Sequence, residues 1–345
     1  MSIHQYIDRH SGAVVTEEFF GDRIVRFLYS TVRERAPALF RIATSQQVSD
    51  LVAMLSFDLP LAPRLVGNLR FLRNCGVDLD ECLDPLEDLD TPRKIFERRI
   101  RYWECRPMPD SPDIVVAPSD ARALVGTLQP TTAVHVKQTF FTVTELLGAP
   151  GRQASARFVS GDYAVFRLTP DKYHRNHMPV SGRIATMYEL PGYLHACNPS
   201  ALIELATPHS KNRRTVTLID SDVAGGSGIG LVAMVEVAAL MIGAIEQGYS
   251  ARRYDTPVPL TPGMFAERGA PKSLFRPGSS TVVLLFEPGR VRFDQALIAN
   301  RERTEVKSRF TAAMGAPVVE TDVVVRSAIA AAVPQSREQS CPTNS

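Results

Sequence analysis

The sequence predicts a helical lead-in followed by a β-rich core, the α+β class, on three observations. Between about residues 16 and 105 apolar residues recur at helical spacing. Phe19, Phe20, Ile24, Val25, Phe27 and Leu28 fall three and four apart, with Asp22, Arg23 and Arg26 between them, which is one face of a helix. From about residue 113 the texture changes to short runs rich in Val, Thr and Phe, broken by Gly, Pro and Asp, as expected of strands in a mostly antiparallel core. After Val333 the chain is polar (PQSREQSCPTNS) and is expected to be disordered. The expected divisions are a helical region over residues 1–110, a β-rich domain over 111–320, and a partly disordered tail over 321–345.

The Phe19–Leu28 face suits either packing on a core or an amphipathic surface that touches lipid, and the segment 51–72 is the other candidate for such docking. Acidic residues dominate 78–90, and Arg93, Lys94, Arg98, Arg99 and Arg101 follow, a pattern of solvated helix faces. The expected strands fall at 113–116, 133–143, 156–168, 214–218 and 282–286. The apolar run 231–245 fits a buried helix or two strands meeting near Ala238 and Ala239. Gly225-Gly226-Ser227-Gly228-Ile229-Gly230 lacks the Gly-Lys-Ser/Thr ending of a phosphate loop and the spacing of a dinucleotide loop, so it reads as a turn.

Bulk properties narrow the function. The chain has 345 residues, 44% hydrophobic and 22% charged, with a net charge of +2. That balance is too mild for nucleic-acid binding, but it is compatible with weak attraction to an anionic surface. Five cysteines without a C-x-x-C pair argue against a disulfide framework or zinc site and suit a reducing compartment. No signal peptide is expected at the start of the chain. The longest apolar run, interrupted by Glu236, falls short of the roughly 20 residues of a membrane helix. The expected location is cytoplasmic, and any membrane contact is peripheral.

Two segments carry chemistry. The first is Asp171-Lys172-Tyr173-His174-Arg175-Asn176-His177-Met178-Pro179. Two histidines three apart invite a metal, but a site needs a third ligand, and Pro170 and Pro179 oppose a helix presenting both on one face. No metal is expected. The second is Gly278-Ser279-Ser280-Thr281, running into the apolar VVLLFEPG. Alone it is an ordinary turn.

Together the two resemble the phosphatidylserine decarboxylase family, which carries D-x-Y-H-R-x-H-x-P and, later, a G-S-S-T-type segment entering an apolar strand. Further stretches resemble the family in the same order: Gly76-Val77-Asp78, Phe96-Glu97-Arg98, Arg106-Pro107, Ala117-Pro118-Ser119-Asp120, Val136-Lys137, Leu146-Leu147-Gly148, Asn198-Pro199, Asn212-Arg213-Arg214, Asn300 and Glu305-Val306-Lys307. The likeness spans roughly residues 10 to 315. There are departures. Ala121 follows Asp120 where the family has glycine, and Gln138 follows Lys137 where glycine is common. The family's K-G-x-E-x-G-x-F reads Arg268-Gly269-Ala270-Pro271-Lys272-Ser273-Leu274-Phe275, without the glutamate and second glycine.

The resemblance implies two packed antiparallel sheets, N-terminal helices on the membrane side, and a homodimer of cleaved protomers. It also implies a lyase whose cofactor is a pyruvoyl group made from Ser280 by self-cleavage between Ser279 and Ser280. Removing CO2 from an amino acid leaves electrons at Cα and requires an electron sink, which the pyruvoyl ketone supplies. In that scheme Asp120 orients His177 and stabilises its charged form, and His177 takes the Ser280 proton. Ser280 Oγ then attacks the Ser279 carbonyl. His174 is expected to hold the substrate carboxylate or to assist protonation. His135, His195 and His209 read as structural or surface residues. The implied substrate is phosphatidylserine, converted to phosphatidylethanolamine. The alternative is a free amino acid or another soluble amino-acid substrate, and a non-catalytic relative is the remaining reading.

Overall fold

A computed structural model describes residues 3–17, 73, 77–128, 141–196, 199–203, 207–239, 244–277 and 280–334. Its strands in the first half are β1 (Gln5–Asp8), β2 (Val14–Thr16), β3 (Ile114–Val116), β4 (Ala121–Thr127), β5 (Asp162–Leu168), β6 (Arg175–His177), β7 (Gly182–Leu190) and β8 (Arg214–Asp220). Then follow β9 (Leu231–Ala238), β10 (Ile245–Gln247), β11 (Phe265–Ala266), β12 (Pro271–Phe275), β13 (Ser280–Phe286), β14 (Val291–Phe293), β15 (Thr321–Val323) and β16 (Ala328–Ala332). Among the described residues a ten-stranded sheet runs β11-β7-β8-β9-β13-β5-β4-β15-β1-β2, beside two three-stranded sheets, β10-β12-β6 and β14-β16-β3. With short helices between these strands the architecture is α+β.

The centre of the large sheet is β13, paired antiparallel with β9 on one side and β5 on the other. All seven of its residues are buried. Alternation sends Val282, Leu284 and Phe286 into one core and Val283 and Leu285 into the other. Each large apolar side chain so buried contributes about 1.5–3 kcal/mol. The run from Leu231 resolves as strand, because loop 221–230 returns the chain so that Asp220 faces Leu231. Ser221 Oγ ties that loop by donating to the Gly230 carbonyl at 2.8 Å.

Several expectations are corrected. The region 1–110 is not wholly helical, because β1 and β2 join the large sheet. β1 runs parallel to β15, with Ile7 fully buried. The tail does not begin at 321, since β15 and β16 both lie beyond that point. These strands are three to five residues long, too short for periodicity to reveal, and their pairing joins the two ends of the chain. Val143, the last residue of the strand expected over 133–143, instead opens the helix Val143–Leu147, with Thr142 Oγ1 accepting from the Glu145 N–H and Gly148 closing it at φ +65°. Ala156–Phe158 is a 3₁₀ turn, so the strand expected from 156 starts at Asp162. The candidate lipid-facing segments 19–28 and 51–72 lie outside the described residues, as do 133–140.

The N-terminal hairpin is fastened by charge. Arg167 on β5 donates to Glu17 at 2.9 and 2.6 Å and to Glu320 at 2.9 and 2.6 Å. His4 Nε2 donates to Glu320 at 2.9 Å while its Nδ1 accepts from the Arg309 N–H at 3.1 Å.

Candidate active site

Strand register brings the chemical residues to one end of the large sheet. Ser280 opens β13 and pairs with Leu168, the last residue of β5, and with Ala238, the last of β9. Asp120 immediately precedes β4, which runs antiparallel to β5. The segment 171–177 follows β5. It is fixed to the Asp120 loop by the His177 N–H donating to the Pro118 carbonyl at 2.7 Å. The Phe275 N–H donates to the His174 carbonyl at 3.0 Å. Ser280 is buried and its Oγ has no hydrogen-bond partner among the described residues. Ser279 and Gly278 lie outside the described residues.

His177 is fully buried. Its Nδ1 sits 2.8 Å from the Gly269 carbonyl. A carbonyl can only accept, so Nδ1 carries the proton and Nε2 presents a lone pair. Gly269 has φ +76°, and a Cβ there would collide with Met108 Sδ, so only glycine brings that carbonyl to the ring. The Nε2 lone pair accepts from the Tyr173 hydroxyl at 3.0 Å. Tyr102 meets the ring edge-on at 4.7 Å. Burial lowers the His177 pKa to about 3 against the opposing pull of the Gly269 carbonyl, and Arg326 lowers it further. The ring is therefore neutral and basic in form at neutral pH.

The expected contact from Asp120 to His177 is absent: among the described residues no hydrogen bond joins them. Asp120 is taken up by Arg106, with Nε on Oδ1 at 3.2 Å and Nη2 on Oδ2 at 2.9 Å, and by the Val325 N–H at 2.7 Å. Burial alone would raise the Asp120 carboxyl, but the charge and hydrogen bonds of Arg106 outweigh it and hold it below the usual range. Its charge still acts across space, favouring protonated His177. Orientation of the ring falls instead to Gly269 and Tyr173.

His174 is also fully buried, with its ring stacked on Phe96 at 3.5 Å. Its Nδ1 donates to the Lys172 carbonyl at 2.7 Å, and its Nε2 has no partner among the described residues. Burial, then the Arg98 charge, lower its pKa to about 3. A neutral ring with Nδ1–H offers a lone pair at Nε2, and a lone pair repels a carboxylate.

Beside these residues lies a buried network that sequence reasoning missed. Lys272 and Glu236, both fully buried, pair at 2.6 Å. Lys272 Nζ also donates to Gln247 Oε1 at 2.8 Å, and Asn176 Nδ2 donates to Glu236 Oε1 at 3.1 Å. Ser273 Oγ donates to Glu236 as well. Lys272 and Ser273 stand in the segment that departs from the family pattern, and their partner Glu236 is on β9, opposite Val282. The only advance signal was Glu236 itself, a charge inside an apolar run. For Tyr254, whose hydroxyl lies 2.8 Å from that of Tyr173, there was none.

A buried serine at a strand start, two neutral buried histidines and an ion-paired aspartate stand at one end of the sheet, groups of the kind that carry nucleophilic and acid–base chemistry. Comparison gives the particular family. A family model described as phosphatidylserine decarboxylase matches residues 93–312. The phosphatidylserine decarboxylase proenzyme of Chlamydia muridarum is 30% identical over 298 residues, covering 85% of this chain and 90% of its own length. That of Bordetella petrii is 34% identical over 242 residues, 65% of this chain and 78% of its own. The Schizosaccharomyces pombe phosphatidylserine decarboxylase proenzyme 3 is 29% identical over 287 residues, 82% of this chain but 27% of the longer yeast protein. The chain belongs to the phosphatidylserine decarboxylase family, and is an enzyme of the carboxy-lyase class.

Proposed function

We propose that the chain converts phosphatidylserine to phosphatidylethanolamine and CO2, after cutting itself between Ser279 and Ser280 so that Ser280 becomes a pyruvoyl group. The observation that supports this most is the buried, unpartnered Ser280 Oγ at the sheet end that also holds His174, His177 and Asp120. The residues fit the group, since removing that hydroxyl breaks no hydrogen bond, and apolar Leu168 and Ala238 flank it. When formed, the group supplies a ketone that bonds the substrate amine and draws in the electrons left at Cα.

The chain's own residues do the rest. His177 Nε2 is the base for Ser280. For it to act, the Tyr173 hydroxyl turns from Nε2 toward Tyr254. Nε2 then takes the Oγ proton and returns it to the amide nitrogen of Ser280 as the Ser279–Ser280 peptide bond gives way to an ester. Loss of the Ser280 Cα proton next expels Ser279 as a carboxylate and cuts the chain. Water replaces the nitrogen, which leaves as ammonia and carries that proton away as ammonium. Asp120 favours the charged ring by its field, and in turnover the same Nε2 delivers a proton to the substrate Cα after CO2 leaves. His174, with its lone pair at Nε2, takes a proton from the substrate ammonium so that the amine can react. Of the two roles expected for His174, holding the carboxylate or assisting protonation, this reading takes proton transfer.

Among the described residues no helix is long and apolar enough to cross a membrane. A lipid substrate keeps its acyl chains in the bilayer, so the proposal includes peripheral docking through the segments 19–28 and 51–72 and a homodimer of cleaved protomers. The test is CO2 release from phosphatidylserine vesicles against a panel of free amino acids, with co-sedimentation on the same vesicles and light scattering for the dimer. Release from vesicles, with binding that weakens in salt, is expected. Turnover of a soluble amino acid without vesicle binding defeats the lipid substrate.

A further inference from the structure

His177 is fully buried, yet the reaction requires it to exchange protons with water. Each turnover replaces a departing carboxyl group by a proton at the substrate's Cα, so one proton is consumed from solvent. Nδ1 is committed to the Gly269 carbonyl at 2.8 Å, which leaves Nε2 as the only nitrogen of the ring that can gain and lose a proton. Its one hydrogen-bond partner among the described residues is Tyr173, at 3.0 Å. Tyr173 is itself buried, and its hydroxyl lies 2.8 Å from that of Tyr254. Tyr254 is part-exposed. Its hydroxyl is anchored by the main chain of Ile100, donating to the carbonyl at 2.8 Å and accepting from the N–H at 3.2 Å.

We infer that Tyr173 and Tyr254 form a proton relay that connects His177 Nε2 to solvent. The inference rests on the reading of His177 as the group that protonates Cα. As Tyr173 O–H gives its proton to Nε2, the Tyr254 O–H swings from the Ile100 carbonyl to the Tyr173 oxygen and gives its proton there, and water restores Tyr254. One proton enters from solvent, one appears on His177, and neither tyrosine changes its net state. Burial raises both hydroxyl pKa values, that of Tyr254 to about 12 and that of Tyr173 well above its usual value, so both remain protonated and able to donate. Self-cleavage draws no net proton from solvent, because the proton taken from Ser280 Oγ returns to the Ser280 nitrogen and the Cα proton lost in the elimination leaves with the ammonia as ammonium.

The experiment compares the full-length chain with Tyr173→Phe, Tyr254→Phe and the double variant. Each keeps the ring and removes one oxygen. Tyr254→Phe is expected to self-cleave to the wild-type extent on a gel, whereas Tyr173→Phe and the double variant, which lose a hydroxyl that orients His177, are assayed per cleaved chain. The kcat of all three should fall about 100-fold, the lower end of what a positioned proton donor contributes, with KM unchanged. Because the two hydroxyls act in series, the double variant should be no slower than the slower single variant, whereas independent structural losses would multiply. A readout apart from turnover is the 15N signal of His177 Nε2 in the uncleaved Ser280→Ala chain, which should shift in Tyr173→Phe as the lone pair loses its donor. Wild-type kcat in Tyr254→Phe, multiplied losses in the double variant, failed self-cleavage of Tyr254→Phe, or an unmoved Nε2 signal would each overturn the relay. A wild-type chain that neither cleaves nor releases CO2 would instead defeat the functional reading beneath it.

Discussion

Arg106 and Asp120 share two hydrogen bonds, Nε to Oδ1 at 3.2 Å and Nη2 to Oδ2 at 2.9 Å, and Arg106 Nη1 reaches on to Glu81 Oε1 at 2.7 Å. The pair joins the end of helix Tyr102–Cys105 to the loop before β4. Both partners are largely out of water, so removing the cation leaves a buried carboxylate with only the Val325 N–H. Arg106→Met should lower unfolding free energy by about 3 kcal/mol or more and slow self-cleavage. Arg106→Lys should recover part of both. Unfolding by urea and a time course on gels measure the two effects. Wild-type stability and cleavage in Arg106→Met would show that Asp120 is held by something else.

The two histidines should separate by the step they serve. Wild-type cleavage yields a fragment of residues 280–345, roughly 7 kDa of the 38.0 kDa chain, and Ser280→Ala should stay whole. His177→Ala removes the base and should slow cleavage on the order of 100- to 10,000-fold. Asp120→Asn should slow it less, because Asp120 acts on the ring by field and not by contact. His174→Ala should still cleave and lose turnover. If His174→Ala stays uncut while His177→Ala cleaves normally, the roles are exchanged.

Ser280, His174, His177 and Asp120 were legible in the sequence because each lies in a short contiguous motif whose order resembles the family's. Their common location did not follow from the sequence, because the strand Ala121–Thr127 behind Asp120 was not among those expected. The partners that hold them were not legible. Gly269 meets His177 across 92 positions and Tyr254 meets Tyr173 across 81, and neither contact leaves a local pattern. The parallel pairing of Ile7 with Thr321 joins three- and four-residue strands from opposite ends of the chain, where periodicity has nothing to count. Glu236 was visible as a charge in an apolar run, but only the fold shows that Lys272 neutralises it.

That pair makes its own prediction. Lys272→Met leaves the Glu236 carboxylate buried without a cation, although Ser273, Asn176 and Gln247 still donate to it. The expected loss is about 3–5 kcal/mol. Adding Glu236→Gln removes the uncompensated charge and should restore more than half of the loss, because the cost lies in the orphaned ion rather than in the missing attraction. Urea unfolding of both variants, made on the uncleaved Ser280→Ala chain to keep one polypeptide, measures this. A double variant as unstable as Lys272→Met alone would place the cost in the lost hydrogen bonds.

Acid should weaken the fold before any carboxylate of ordinary pKa titrates. His174 and His177 have folded pKa values of about 3 against 6.5 in an unperturbed side chain, burial being the main cause in both. Below pH 6.5 the unfolded chain therefore binds protons that the folded chain refuses. Their contribution is fully present above pH 6.5, falls with pH, and is lost by about pH 3. Each such histidine gives a slope of about 1.4 kcal/mol per pH unit once the unfolded form is protonated. Between pH 6.5 and 5 ordinary aspartates and glutamates remain ionised, so the decline in that window belongs mainly to the buried histidines. The urea midpoint of the Ser280→Ala chain should fall steadily from pH 6.5 to 5. His177→Asn, made in that same background, should flatten the slope by up to about 1.4 kcal/mol per pH unit. A midpoint constant across the window would mean that His174 and His177 are charged in the folded chain, and that the neutral base required at Ser280 is absent.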